Sequence, residues 1–180
     1  VMATTAAPHG ARPVSTTSAS GSFNGKVQHL SIASEYGTSI FNGDFVKMVA
    51  GGTIEKDTGT ATLTTIGIFM GCKYTGPTTK QMTFSQYWPA STVATDAMAY
   101  VLSDPDVVFL MQADGAIAQT ALGSNFDVIQ TAGTTAIGNS KNAVDADSTA
   151  TTNTLPLRIY DFYDGPSSTI GDAFTDALFI

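Results

Sequence analysis

Ala61-Thr62-Leu63-Thr64-Thr65-Ile66-Gly67-Ile68-Phe69-Met70-Gly71-Cys72-Lys73-Tyr74 has the period of a β-strand. Ile66, Ile68, Met70, Cys72 and Tyr74 fall on one face, and Gly67, Phe69 and Gly71 on the other, because successive strand side chains point to opposite sides. Two glycines on one face of a strand mark strong curvature or a close approach of neighbouring backbone, as in a small barrel.

The surrounding chain repeats this pattern of short apolar stretches broken by turn dipeptides. Downstream, Gly76-Pro77 turns the chain into 81–88 (QMTFSQYW), which stops at Pro89. The stretch 97–102 leads to Asp104-Pro105, and 96–102 is the one segment whose period leaves helix and strand open. Residues 107–111 (VVFLM) form a continuous apolar run, short for a helix, that reads as a strand covered on both faces. Asp114-Gly115 is the next turn, and a strand is expected over 126–130, followed by a Gly/Thr/Asn/Asp-rich loop over about 132–153. Leu155, Leu157 and Ile159 alternate in a further strand. The last residues, 177–180, are apolar and are expected to be paired in a sheet or buried against a neighbour. Upstream, 27–33 reads as a first strand. Asn42-Gly43 between Ser39-Ile40-Phe41 and Phe45-Val46-Lys47-Met48-Val49 predicts a two-residue hairpin. No segment carries a capped 3.6-residue stripe. The expected fold is all-β, a small antiparallel β-barrel or sandwich, with one body over 25–180.

Residues 1–24 differ. Ala, Thr, Ser, Gly and Pro dominate, and Phe23 is the only aromatic, so this segment is expected to be an extended, disordered N-terminal arm that orders only on a partner. No Asp or Glu precedes Glu35, whereas Arg12 and Lys26 lie in that stretch. The fifteen acids and the other six Lys and Arg leave the remainder at −9. A weakly basic arm suits an acidic protein surface. The acidic body argues against nucleic-acid binding, which needs clustered Lys and Arg.

Charged residues make up 13% of the 180, against roughly 25% in an ordinary soluble domain. Mass scaling gives a surface of about 8,300 Å², so each charge serves roughly 360 Å², about twice the usual area. Burial of much of that surface in an assembly accounts for such sparse charge. No apolar run approaches the ~20 residues of a membrane span.

Catalytic patterns are missing: the sequence has no nucleophile elbow, phosphate loop, dinucleotide fingerprint or H-E-x-x-H helix. His9 lies in the arm and His29 alternates within a strand. Cys72, the only cysteine, reads as a small core hydrophobe. Asp145-Ala146-Asp147 and Asp161…Asp164-Gly165 are fragments of Ca²⁺-loop spacing without the full ligand set or the closing Glu, and Asp chosen for turn hydrogen bonding is the favoured explanation. The expectation is therefore a chain that is not an enzyme, with no catalytic residues, metal or cofactor. Phe84, Tyr87 and Trp88, just before Pro89, are the most unusual local group. Such residues serve as strand-end core or as interface anchors, and both readings stand.

The runs GIFMGCKYTGPTTKQMTFSQYWPAST, DAMAYVLSDPDVVFLMQADG and LPLRIYDFYDGPSSTIGDAFTDALFI resemble a group of structural proteins of tailed phages. In that group a G-x-F-x-G-C-x-Y strand precedes F-S-x-Y-W-P and D-D-P-x-x-x-F-x-x-Q, and a late L-R-I strand precedes G-D-A. This chain departs at Ser103-Asp104-Pro105. The similarity covers about 55–180. It implies a head decoration, or cement, protein on the outer surface of the virion. Its partners would be the major capsid protein and further copies of itself, a trimer in preference to a dimer, with no nucleic acid or membrane. The contact residues expected are Arg12, Phe23, Lys26, Tyr87, Trp88 and Phe179. The competing reading is a carbohydrate- or host-surface-binding β-domain that stacks sugars on the aromatic group.

Overall fold

The computed structural model describes residues 5–18, 21–23 and 25–180. Thirteen strands are found there: β1 (Arg12–Thr16), β2 (Val27–Ser31), β3 (Phe45–Met48), β4 (Ile54–Lys56), β5 (Gly67–Thr75), β6 (Met82–Ser85), β7 (Met98–Leu102), β8 (Val107–Gln112), β9 (Asn125–Phe126), β10 (Val128–Ile129), β11 (Ala143–Val144), β12 (Leu157–Phe162) and β13 (Asp176–Phe179). The helical residues are two single 3₁₀ turns, Gln119–Ala121 and Ala146–Ser148. The fold is all-β, as the sequence pattern implies.

Two sheets carry the architecture. One is ordered β1-β8-β13-β12-β9, the other β2-β7-β5-β3-β4 with β6 added on β5, and β10 and β11 form a separate ribbon. The second sheet curls until its two ends meet, because Ile32, just past β2, bridges Ile54 at the start of β4. One apolar core fills this curl: Ile32, Ile40, Val46, Ile54, Phe69, Cys72, Tyr74, Trp88, Ala94, Ala97, Ala99 and Val101. The other core lies between the sheets, where Phe45, Ile68 and Leu102 meet Val107, Met111, Leu157, Ile159, Ala177 and Phe179. Barrel and sandwich are thus joined in one body.

Strand β5 belongs to both cores because of a bulge. Its pairing with β7 shifts between Phe69 and Gly71, and Gly71 has φ 138°. Ile68 and Met70 face the inter-sheet core, whereas Phe69, Cys72 and Tyr74 face the barrel core. Strict alternation places Ile68 and Cys72 on one face. The extra residue of the bulge reverses the face halfway, so that expectation is corrected. The curvature read from the glycines is present. A Cβ on Gly67 would lie 2.2 Å from the Leu102 carbonyl oxygen, and one on Gly71 would lie 3.0 Å from that of Ser85.

Asn42-Gly43 also departs from its reading. A turn forms, with the Asp44 N–H donating to the Phe41 carbonyl at 3.0 Å, but the two flanks do not pair. Ile40 bridges Trp88, and Phe45 pairs with Ile68. The Gly43 N–H donates to the Phe69 carbonyl, and the Phe69 N–H to the Asp44 carbonyl, so β5 takes the hydrogen bonds a hairpin would have used. The hairpin in this region joins β3 to β4 through Gly51-Gly52, with Val49 donating to Thr53. The ambiguous segment 96–102 holds strand β7 over Met98–Leu102. The run at β8 is covered on both faces at Val107 and Val108.

The arm requires a larger correction. Residues 1–4, 19, 20 and 24 lie outside the described residues. Of the rest, Arg12–Thr16 form β1, docked on the chain's own body antiparallel to β8, with Arg12 opposite Leu110 and Thr16 opposite Val107. Ahead of β1, the Gly10 N–H donates to the Asn142 carbonyl and the Ala11 N–H to that of Gly43, both at 3.1 Å. Ala11 is buried in the inter-sheet core. Low apolar content suggested disorder, but backbone pairing with an open sheet edge needs few apolar side chains.

Candidate functional site

The six residues expected to make contacts do not converge. Trp88 and Phe179 are 0% exposed. Trp88 packs edge-on to Tyr74 inside the barrel and donates its indole N–H to the Tyr36 carbonyl at 3.3 Å. Phe179 lies edge-on to Phe126 in the inter-sheet core. Both are core residues, so their assignment as contacts is corrected: Trp88 lies past β6, bridged to Ile40 and enclosed in the barrel core, and Phe179 ends β13 on its buried face. Tyr87 is half-buried and stacks on Phe41, centroids 5.5 Å apart. Arg12, Phe23 and Lys26 are exposed, Arg12 on the edge strand of one sheet and Lys26 beside β2 of the other, where its carbonyl accepts the Ser103 N–H.

The aromatic group around Pro89 is therefore split. Phe84 points into solvent while Trp88 points into the barrel, and no shared stacking surface forms. Phe84 has apolar company of another kind. The four most exposed large apolar side chains among the described residues are Phe84 (70%), Ile137 (62%), Met82 (54%) and Val93 (52%). Phe84 and Met82 lie two apart on β6, hence on one face. Ile137 precedes Gly138, where an added Cβ would lie 3.2 Å from the Gln86 Cβ and 3.3 Å from the Tyr87 ring, just beyond β6. That loop is held to the β6 end by a hydrogen bond from the Gln86 amide to Asn139. Val93 lines a surface depression with Thr75, the residue opposite Met82. Sequence reading missed this strip because edge position, not composition, decides whether Met82 and Phe84 are covered.

Ionisable groups are used structurally. Asp44, fully buried, accepts the Phe41 N–H at 2.9 Å and lies 3.3 Å from the Lys56 ammonium, itself almost enclosed. Asp57 accepts the N–H groups of Gly59 and Thr64. Asp145 accepts the Asp147 N–H and starts the 3₁₀ turn, which is the turn role weighed for it. Burial pushes the Cys72 thiol up to about 12, consistent with a core side chain that carries no reactive thiolate. Burial first, and then the Arg12 guanidinium, lower His9 to about 4. His29 is exposed and packs edge-on to Tyr100. Among the described residues no three His, Cys, Asp or Glu side chains gather as a metal site, and no helix is long and apolar enough to cross a membrane.

One apolar cleft of about 250 Å³ opens where the sheets part, lined by Phe45, Leu63, Ile66, Leu102, Phe109 and Ile180 among others. Thr65, Ser103 and Asp104 bring the polar side chains to its walls. Comparison with protein-family models, with curated proteins and with solved structures gives no match.

Proposed function

We propose that this chain is a structural virion protein without catalytic activity, one that coats the outside of a tailed-phage head and stabilises the major capsid lattice. The observation that carries the reading is the surface. Eight basic and fifteen acidic side chains are spread over 8720 Å², with large apolar side chains standing more than half exposed beside β6. A surface this poor in charge favours association over life as a lone monomer. The resemblance of residues 55–180 to tailed-phage structural proteins supplies the kind of assembly. Repeated weak contacts at equivalent lattice positions would add up through multivalency, so no single contact need be strong. The carbohydrate-binding reading relied on Phe84, Tyr87 and Trp88 as one platform, and the burial of Trp88 removes its central residue.

The test is decoration. Purified chain added to heads assembled without it should bind saturably, appear on the outer face at symmetric positions in a cryo-EM map, and raise the temperature at which heads release DNA. Heads that show no added density and no gain in thermal resistance would reject the proposal.

A further inference from the structure

We propose that β6 is a self-pairing edge through which two copies of this chain join, antiparallel, about a two-fold axis at Thr83. The phase of the hydrogen bonds comes first. Gly76 donates its N–H to the Gln81 carbonyl at 2.9 Å, which makes that opposed pair hydrogen-bonded. Bonded and non-bonded pairs alternate along an antiparallel ladder. With Tyr74 opposite Thr83 and Cys72 opposite Ser85, Thr83 and Ser85 direct their backbone groups to β5. Met82 and Phe84 direct theirs outward. Among the described residues no strand pairs with that outer side of β6.

Natural edge strands are guarded by charge, proline or a bulge. Met82-Thr83-Phe84-Ser85 has none of these and carries two of the four most exposed large apolar side chains among the described residues. A second copy fits because the segment complements itself. A two-fold axis at Thr83 sets Met82 opposite Phe84 of the other copy and Phe84 opposite its Met82, each a hydrogen-bonded pair, giving four backbone bonds. The four paired residues carry no charge, so no like charges meet along this pairing of otherwise acidic bodies. On the outer face each row runs Lys73, Phe84, Met82 of the second copy, and its Thr75, whose hydroxyl holds the Asp96 carboxylate at 2.6 Å. Opposite charges therefore stand at the two ends of the row. The two-fold contact makes a dimer, where the phage resemblance led to a trimer. It does not depend on the capsid reading, since its test uses the free protein.

The experiment is sedimentation equilibrium of the full chain up to about 1 mM. Wild type should pass from monomer to dimer within that range. Phe84→Pro removes an outward N–H and leaves the inner ladder intact, and Phe84→Lys adds the missing guard. Either should raise the dissociation constant about tenfold or more while the far-UV spectrum stays unchanged. Tyr160→Lys, an exposed aromatic on β12 of the other sheet, should leave the equilibrium unaltered. Thr83→Cys should form a symmetric disulfide dimer under mild oxidation, since opposed non-bonded residues have Cα atoms about 4.5 Å apart. A wild type that stays monomeric to 1 mM overturns the proposal. So does a dimer that Phe84→Lys leaves intact, or a folded Thr83→Cys chain that forms no disulfide dimer.

Discussion

The two ends of the chain lie on opposite sides of the same strand: β1 and β13 both pair with β8. They are held by different forces. β13 alternates half-buried and buried residues, and Ala177 and Phe179 are fully enclosed, so side-chain burial fixes it. β1 alternates exposed and half-buried residues before the buried Thr16 and encloses no apolar side chain, and what holds it is the ladder to β8 together with the anchor at Gly10 and Ala11. Gly10 has φ 72°, and a Cβ there would lie 2.6 Å from the Ser140 Cβ and 2.8 Å from the Gly43 carbonyl oxygen. An apolar terminus advertises its docking in its composition. A polar terminus docks through groups that every residue possesses, and composition does not register them.

Four substitutions break or sharpen this contrast. Phe179→Ala should have the largest effect, about 3–5 kcal/mol, read as a fall of roughly 10 °C or more in thermal midpoint. A loss below about 1 kcal/mol would mean that β13 also is held mainly by its backbone. Gly10→Ala comes next, at about 1–3 kcal/mol, because both the left-handed backbone and the contact with Ser140 oppose a side chain. Deleting residues 1–17 should likewise lower the midpoint, whereas a free arm would leave it unchanged. Calorimetry on the two chains decides between these outcomes.

The third effect depends on pH. His9 in the folded chain is lowered to about 4 from an ordinary 6.5, by burial first and Arg12 second. The unfolded chain therefore binds the proton more readily between those values, and stability falls as pH drops from 6.5 towards 4. His9→Gln should flatten this part of the profile relative to wild type. Identical slopes in urea titrations of the two proteins would show that the segment around His9 undocks before it titrates. Smallest is Arg12→Ala, expected within about 0.5 kcal/mol of wild type because the side chain is exposed. A larger loss would assign the Arg12 side chain, and not only the β1 backbone, a part in docking.

The comparison of ends also shows what was legible beforehand. The apolar finish at 177–180, the turns at Asp104-Pro105 and Asp114-Gly115, and the core character of Cys72 could all be read locally. β4 could not: Ile54-Glu55-Lys56 is three residues long and includes two charges, and it becomes a strand because β3 lies beside it. The contact residues fared unevenly for the same reason. Trp88 and Phe179 look alike in sequence to an exposed aromatic, and only the closure of the barrel and the packing of the two sheets enclosed them.

Strand period, turn chemistry and charge balance are properties of neighbouring residues, so the all-β class, the curvature at Gly67 and Gly71 and the sparse charge followed from the sequence by itself. Pairing partners are set by residues far apart in the chain. The bulge before Gly71 therefore decided which core each β5 side chain entered, β5 rather than 39–41 became the partner of β3, and the open edge of β8 gave the N-terminal segment its place. The physical reason is one of range: side-chain preference acts over a few residues, whereas backbone hydrogen bonds in a sheet can be claimed by any segment that the fold brings to the edge.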